Sequence, residues 1–567
     1  MGCSLFCAFT LVNLSTSEHH PNLVVSTAMR FALLLTFLST CAMLRGQVAI
    51  GGKQFVRSMA EAGTKGEWVL YEKGAPQNEG TRRWLTNRVL VELQPGKAAA
   101  DLRGLAGVVK AEARGKYAVV EFAGNADAAL TGAKTLQKQP GVRFAEPMLA
   151  RQLFGKAVPN DPFFAYNAAN AGYQWHLQNT GQNGGTVGVD VNVVPAWDAY
   201  KGTGIRIGIV DDGLEVTHPD LVANVDTTND RDFNGLDDDP SPGEMNFHGT
   251  ACAGVAAARG NNGLGVSGSA PEATIVGLKL IAAPTTDADE ADAFGFKKDL
   301  IHIKSNSWGP YDSAYGQGGP GPLSLAAMQD AVTNGRGGKG TIFLWAAGNG
   351  NYSGDDSNYD GWANSPLAIA VSAINEKGRP SYYSEPGSNI LVCAPSSGGN
   401  EGITTTDRVG AIGYNEDGGT VEHPDFSHFD YTNGFGGTSS ATPTVAGVVA
   451  LMLQANPNLT YRDVQEILVR TAVKNDEFDG DWVQNGAGFH FNVRYGAGLV
   501  NAQTATATAA TWTNVAPLQT KTYTQSSLAQ PIPDFDTTGT SRTFTVPLVD
   551  NLRLEHVTVH IKATHPY

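Results

Sequence analysis

Three side chains far apart in the sequence, Asp211, His248 and Ser439, are of the types that together make an activated serine nucleophile. Ser439 stands in GFGGTSSATPTVAGVVALML, from Gly434 to Leu453, at the head of a small, apolar run that reads as a buried helix. The start of such a helix carries unpaired amides and a partial positive charge, which suits a nucleophile whose product is an oxyanion. A serine in a lone GTS would simply cap the helix. It becomes a nucleophile when an imidazole takes its proton and a carboxylate fixes and steadies that imidazole. NFHGTACAGVAAARG sets His248 at the start of a second small-residue helix, and IRIGIVDDG supplies Asp211.

The element that must deliver Asp211 is a strand. Ile205 to Val210 is a β-branched run ending in two carboxylates and a glycine, as expected of a central parallel strand. Open α/β sheets place their sites at the carboxyl ends of such strands. The reading is therefore an α/β domain in which a strand end and two helix starts meet.

The region from about Asp161 to Ala502 resembles a subtilisin-fold serine protease, and more narrowly the kexin/furin branch of proprotein-processing enzymes. The motifs VDDGLEVTHPDL, HGTACAG, SNSWGP, GRGGKGTIFLWAAGNG and GGTSSATP occur in series. Asp, His, Ser is also the chain order of subtilisin. The resemblance implies a seven-stranded parallel sheet flanked by helices. It also implies that Asn349 of WAAGNG donates its side-chain amide to the oxyanion beside the Ser439 backbone amide.

The same resemblance implies a preference for basic residues before the cut bond. Asp312, after SWGP, and Asp360, in SNYDGW, match the two acids of the first specificity pocket. Paired carboxylates grip a guanidinium with charge-assisted hydrogen bonds, favouring Arg over Lys. Glu290 with Trp362 matches the positions that hold an arginine four residues before the cut. Asp212 matches an acid facing the second residue, while Met245 replaces the acid that normally joins it.

Calcium is the implied cofactor. The resemblance assigns one ion to Asp312, Asp355 and Glu385, the last in SYYSEPG. A second loop, DFNGLDDDP, offers Asp232, Asp237 and Asp239 as oxygen donors and matches a family calcium loop, although alone it would read as a solvated acidic turn. A further site would use Asp161, Asp220, Asn262 and carbonyls of NNGLG, including that of Leu264. These residues are distant in sequence, so only the fold can unite them.

At 567 residues the chain exceeds one domain, and its net charge of −15 argues against nucleic-acid binding. Of 5 cysteines, Cys3, Cys7 and Cys41 precede the expected mature chain, and Cys252 and Cys393 are read as unpaired. Residues 1–28 are read as an extension from an upstream start codon. Residues 29–48, opening on Met29-Arg30 and FALLLTFLSTCAML, read as a signal peptide, interrupted by Arg45 before it could span a membrane.

Residues 49–156 read as a small α+β propeptide domain, chaperone and first inhibitor of its own protease, the alternative being an unrelated accessory domain. Its strands are NRVLVEL, YAVVEF and GVRFAEPM, and its helices AADLRGLAGV and ADAALTGAKTLQKQ. Arg151 or Lys156 would precede the autocatalytic cut, and Arg151 is preferred. Residues 157–508 form the catalytic domain. Residues 509–567 alternate like half-buried strands and resemble the beginning of a β-sandwich (jelly-roll) P domain, truncated at Tyr567.

The expectation is thus a secreted, calcium-dependent, self-maturing serine endopeptidase cutting proteins or peptides after Arg or Lys, with no nucleic-acid partner and no transmembrane anchor. The rival readings are a broad degradative protease whose acids only bind calcium, and a catalytically latent binding module.

Overall fold

The structure, a computed structural model, describes residues 47–58, 69–74, 82–151, 158–165, 173–314, 317–416, 426–526 and parts of 531–560. Lys156, the segment before the expected signal peptide and that peptide up to residue 46 lie outside these residues, whereas its last two, Gln47 and Val48, belong to the first strand of the sheet that follows. The chain divides into two compact units, Met1–Gln152 and Leu153–Tyr567.

The first unit is an antiparallel sheet of β1 (Gln47–Ile50), β2 (Lys53–Ser58), β3 (Val69–Glu72), β4 (Arg83–Leu93), β5 (Val108–Arg114), β6 (Tyr117–Phe122) and β7 (Val142–Ala150). The order is β1-β2-β3-β4-β6-β5, with β7 on β4. One helix, α1 (Ala126–Leu136), presents Ala129, Ala133 and Leu136 to Val89, Val91 and Val120 in a shared core. The stretch AADLRGLAGV, expected as a helix, is only a 3-10 turn over Ala99–Leu102. Gly104 and Gly107 break it, Gly107 at φ +81°, and the chain turns into β5 instead.

In the second unit, seven strands lie parallel: β8 (Arg206–Asp211), β9 (Arg231–Asp232), β10 (Thr274–Lys279), β11 (Ile303–Asn306), β12 (Ile342–Ala346), β13 (Ala368–Ile374) and β14 (Ile390–Pro395). Their order is β14-β13-β12-β11-β8-β10-β9, so β8 sits inside the sheet with β11 and β10 as neighbours. Alternation sends successive side chains to opposite faces. Ile207, Ile209 and Leu344 enter one core with α2 (His248–Ala257) and α5 (Gly437–Ala455), while Val210 and Phe343 enter another with α3 (Asp287–Gly295) and α4 (Pro322–Gly338). Each fully buried branched side chain contributes about 1.5–3 kcal/mol.

Helix α5 is buried almost throughout, from Thr438 to Leu453. Lys304 on β11 is wholly buried, and its ammonium donates to the carbonyls of Ala293 and Phe294 (2.6 Å each) and Phe296 (3.0 Å). That closes the C-terminal end of α3, where a cation is favoured, while burial pulls the amine pKa well down.

After α6 (Tyr461–Thr471) and α7 (Ala502–Ala510), the described residues of the tail form no strand. A half-buried strand needs a ladder for its N–H and C=O groups, and none is offered among the described residues. The tail instead lies on α6, through Trp512 Nε1 to Asp463 (2.8 Å) and the paired bonds of Arg462 with Glu555 (2.7 and 2.6 Å). Among the described residues no helix is long and apolar enough to cross a membrane.

Candidate active site

Strand β8 ends on Asp211, 1% exposed, with one oxygen 2.8 Å from Nδ1 of His248 at the start of α2. The same oxygen accepts the Asp212 amide at 2.8 Å. Burial opposes a charge on the imidazole, but the Asp211 carboxylate outweighs it and holds the His248 pKa above its ordinary value.

Ser439 lies in the first turn of α5, where its hydroxyl donates to the Ser307 carbonyl (3.2 Å) and the Ser307 hydroxyl donates back to the Ser439 carbonyl (3.0 Å). The thiol of Cys252 bridges the two helices, 3.8 Å from His248 Nδ1 and 3.6 Å from the Ser439 carbonyl. Cys252 and Cys393 are both free and buried. The turn before Ser439 is braced by Gly437, whose amide donates to the Tyr383 hydroxyl at 3.0 Å.

Gly437 has φ +71°, and a Cβ there would stand 3.3 Å from Asn349 Oδ1 and 3.6 Å from Ser439 Oγ. Only glycine gives this conformation freely. Asn349 Oδ1 accepts the Thr438 amide (2.8 Å) and hydroxyl (3.1 Å), which turns its NH2 group the other way. Asn349, Ser439, Thr438, Asp312 and Asp360 all line one recess.

Asp360 is 6% exposed at the recess wall, with Oδ1 held by the amides of Trp362 (2.7 Å) and Ala363 (3.1 Å). Its other oxygen faces Gly309, where a Cβ would come within 2.6 Å. Burial, then repulsion from Asp312 and Asp355, pushes its pKa up to about 7. A buried carboxylate with one oxygen left facing a recess is poised for a cation.

Asp312, Asp355 and Glu385 bring carboxylate oxygens within 4.8 Å of one another. Burial, then the other acids, raises Glu385 to about 8, and burial raises Asp312. An all-oxygen, mutually repelling donor set of this kind fits a hard divalent cation.

The other acids are distributed as follows. Asp161 accepts the amides of Asn261 (2.8 Å) and Asn262 (3.1 Å), and Asn262 donates to Asp220 at 2.7 Å, so the fold unites all three beside Leu264. Burial lifts Asp220 to about 7. In the other loop Asp232 already pairs with Lys279 (2.9 Å), while Asp237 and Asp239 accept the amides of Asp239 and Ser241.

Glu290 is buried on α3, and burial raises its pKa against the opposing influence of the Trp362 and Ser324 side chains. Asp212 spends its oxygens on the amides of Gly249 (2.8 Å) and His248 (3.2 Å), capping α2, and burial beside Asp211 raises it to about 6. Met245 is 82% exposed. Sequence reasoning missed Tyr383, whose hydroxyl meets the hydroxyls of Ser396 and Ser397 as well as the Gly437 amide, and Lys304, whose partners are backbone carbonyls; neither arrangement has a residue signature.

Residues 202–498 match the model of the Subtilase family, and residues 72–148 match the Fervidolysin N-terminal prodomain. The chain belongs to the subtilase family. Within it, the similarity runs to furin-type proprotein convertases. A "PC3-like endoprotease variant B" of Hydra vulgaris is 38% identical, over 76% of this chain and 59% of the relative. Furin of Bos taurus is 37% identical, over 68% and 46%. The chain spans about half the length of the curated relatives it matches. Among solved structures, the serine protease of Aeromonas sobria aligns with a TM-score of 0.56 at 28% identity, covering 61% of this chain and 68% of that one.

Proposed function

We propose that the protein is a serine endopeptidase that cuts polypeptides after arginine or lysine. The observation that carries this is the recess that Ser439 and Asn349 share with Asp312 and Asp360. A basic side chain entering it neutralises buried carboxylates while its carbonyl carbon reaches the serine.

His248, polarised by Asp211, takes the Ser439 proton as the hydroxyl leaves the Ser307 carbonyl and attacks. The oxyanion rests on the Asn349 side-chain amide and the Ser439 backbone amide at the start of α5. His248 then protonates the leaving amine, and water releases the acyl-enzyme by the same route. Glu290 with Trp362 would hold a basic residue further from the cut.

Asp312, Asp355 and Glu385 would hold a calcium ion, which supplies charge neutralisation to the pocket wall. Asp161, Asp220, Asn262 and the Leu264 carbonyl, and separately Asp232, Asp237 and Asp239, are further candidate sites. Residues 49–156, of which 72–148 match a prodomain, would act as an intramolecular inhibitor, removed after Arg151 or Lys156 during secretion.

N-terminal sequencing of secreted parent and Ser439→Ala protein tests the reading. The parent is expected to begin just after a basic residue and the variant to retain its first unit. A variant that still matures itself would overturn the assignment of Ser439.

A further inference from the structure

The direction of the Ser439 backbone amide depends on the turn at Gly437, where φ is +71°. A glycine is too permissive to hold such a turn by itself, so the two peptide groups that meet at its Cα must be fixed from outside. The first is held through the Gly437 N–H, which donates to the Tyr383 hydroxyl at 3.0 Å. The second is held at both ends: the Ser396 hydroxyl donates to the Gly437 carbonyl (2.7 Å), and the Thr438 N–H donates to Asn349 (2.8 Å).

Tyr383, in the connection between β13 and β14, has more partners than a buried phenol needs. It is 7% exposed, and four polar atoms stand within 3.0 Å of its oxygen: the Gly437 nitrogen, the Ser396 and Ser397 hydroxyls (2.8 and 2.9 Å) and the Ser397 carbonyl. One such partner would already satisfy a buried hydroxyl. Ser396 also meets the Ser440 hydroxyl at 2.7 Å, so this cluster touches α5 on both sides of Ser439. The backbone beside the phenol grips the other donor. The Tyr383 carbonyl accepts the Asn351 amide (3.1 Å), the Glu385 amide donates to the Gly348 carbonyl (3.2 Å), and the Gly350 amide donates to Glu385 Oε1 (2.8 Å). Asn349 is thus fastened on either side by residues 383–385.

Donors stabilise an oxyanion in proportion to how well they are aimed before charge develops. We propose that Tyr383 and Ser396 are positioning residues for the cleavage: their hydroxyls hold the Gly437 turn so that the Ser439 N–H and the Asn349 amide converge on one oxyanion. This rests on the reading of Ser439 as the nucleophile.

The experiment compares the mature enzyme with its Tyr383→Phe variant and with Tyr382→Phe, a neighbour that is 69% exposed. Steady-state rates on an arginyl amide substrate are read beside two inhibitors. A peptidyl-arginine boronate becomes tetrahedral on the serine and sets an oxygen on the donors, whereas benzamidine fills only the acidic recess. For Tyr383→Phe, kcat is expected to fall about tenfold at unchanged KM, within the roughly 10²-fold that a small misplacement can cost. The boronate Ki should rise by a similar factor and the benzamidine Ki stay where it was. Tyr382→Phe is expected to match the parent throughout.

An unchanged kcat in Tyr383→Phe, a loss carried by KM, or a boronate affinity that does not move with kcat would each overturn the proposal. Should Tyr383→Phe not fold, Ser396→Ala takes its place, with the same expected split and the same overturning results. A parent that hydrolyses nothing and takes up no boronate overturns the reading of Ser439, and this proposal with it, a result that no variant can imitate.

Discussion

Asn349 and Thr438 are joined twice: the Asn349 carbonyl oxygen takes both the backbone N–H and the hydroxyl of Thr438, at 2.8 and 3.1 Å. With its acceptor pinned, the amide can only present N–H groups to the recess beside Ser439. An amide fixed before reaction costs nothing to reorient as charge develops. Asn349→Leu is therefore expected to lower kcat by about 10²–10³-fold with little change in KM, as read by steady-state kinetics.

The bond between Asp211 and His248 sets the acid side of the pH profile. His248 works as a base only when neutral, and the carboxylate raises its pKa, so rates should fall as pH drops through that raised value. Asp211→Asn removes the raising charge and is expected to move the acid limb to lower pH. It should also lower kcat by about 10⁴-fold, the size seen when a triad carboxylate is neutralised. A limb that stays in place would assign it to another group.

Asp360→Asn tests the pocket. One amide-anchored oxygen would survive, but the charge facing Gly309 would go. Losing one member of a buried charge pair costs about 2–5 kcal/mol, so kcat/KM for an arginine substrate should fall by roughly two orders of magnitude or more. A leucine substrate should change far less.

Chelation tests the proposed calcium site, and is expected to loosen the pocket wall. Crowded carboxylates at Asp312, Asp355 and Glu385 repel unless a cation joins them. A ligand at 100 times its dissociation constant stabilises by about 2.7 kcal/mol, so chelation should lower Tm by several degrees in calorimetry, reversibly with added calcium. Glu385→Gln should shrink that shift. Its persistence in full would point to another site, such as Asp161 and Asp220.

Much of this arrangement was legible before any coordinate. IRIGIV reads as a buried strand because, past Arg206 at its entry, the run is apolar and β-branched apart from Gly208, and that placed Asp211 at a strand end. The small residues after Ser439 announced a helix with no side open to water. Asp161, Asp220 and Asn262 were legible only through resemblance, because the turn that joins them is closed by backbone amides. Asp212 matches an acid facing the second residue of the substrate. Its structural duty as the cap of α2 was hidden because Asp-Asp-Gly says nothing of a helix beginning 36 residues later. Nothing in the sequence marks Lys304, because its partners are three backbone carbonyls of a helix end.

Lys304 also makes the molecule its own clock. Its amine is sealed between β11 and the end of α3, so an acylating reagent reaches it only when that layer parts. Mass-spectrometric timing of acetylation at this lysine, against surface lysines that react at once, would count those openings directly. A slow count would mean that the strand leading to Ser307 and the helix carrying Glu290 breathe together or not at all.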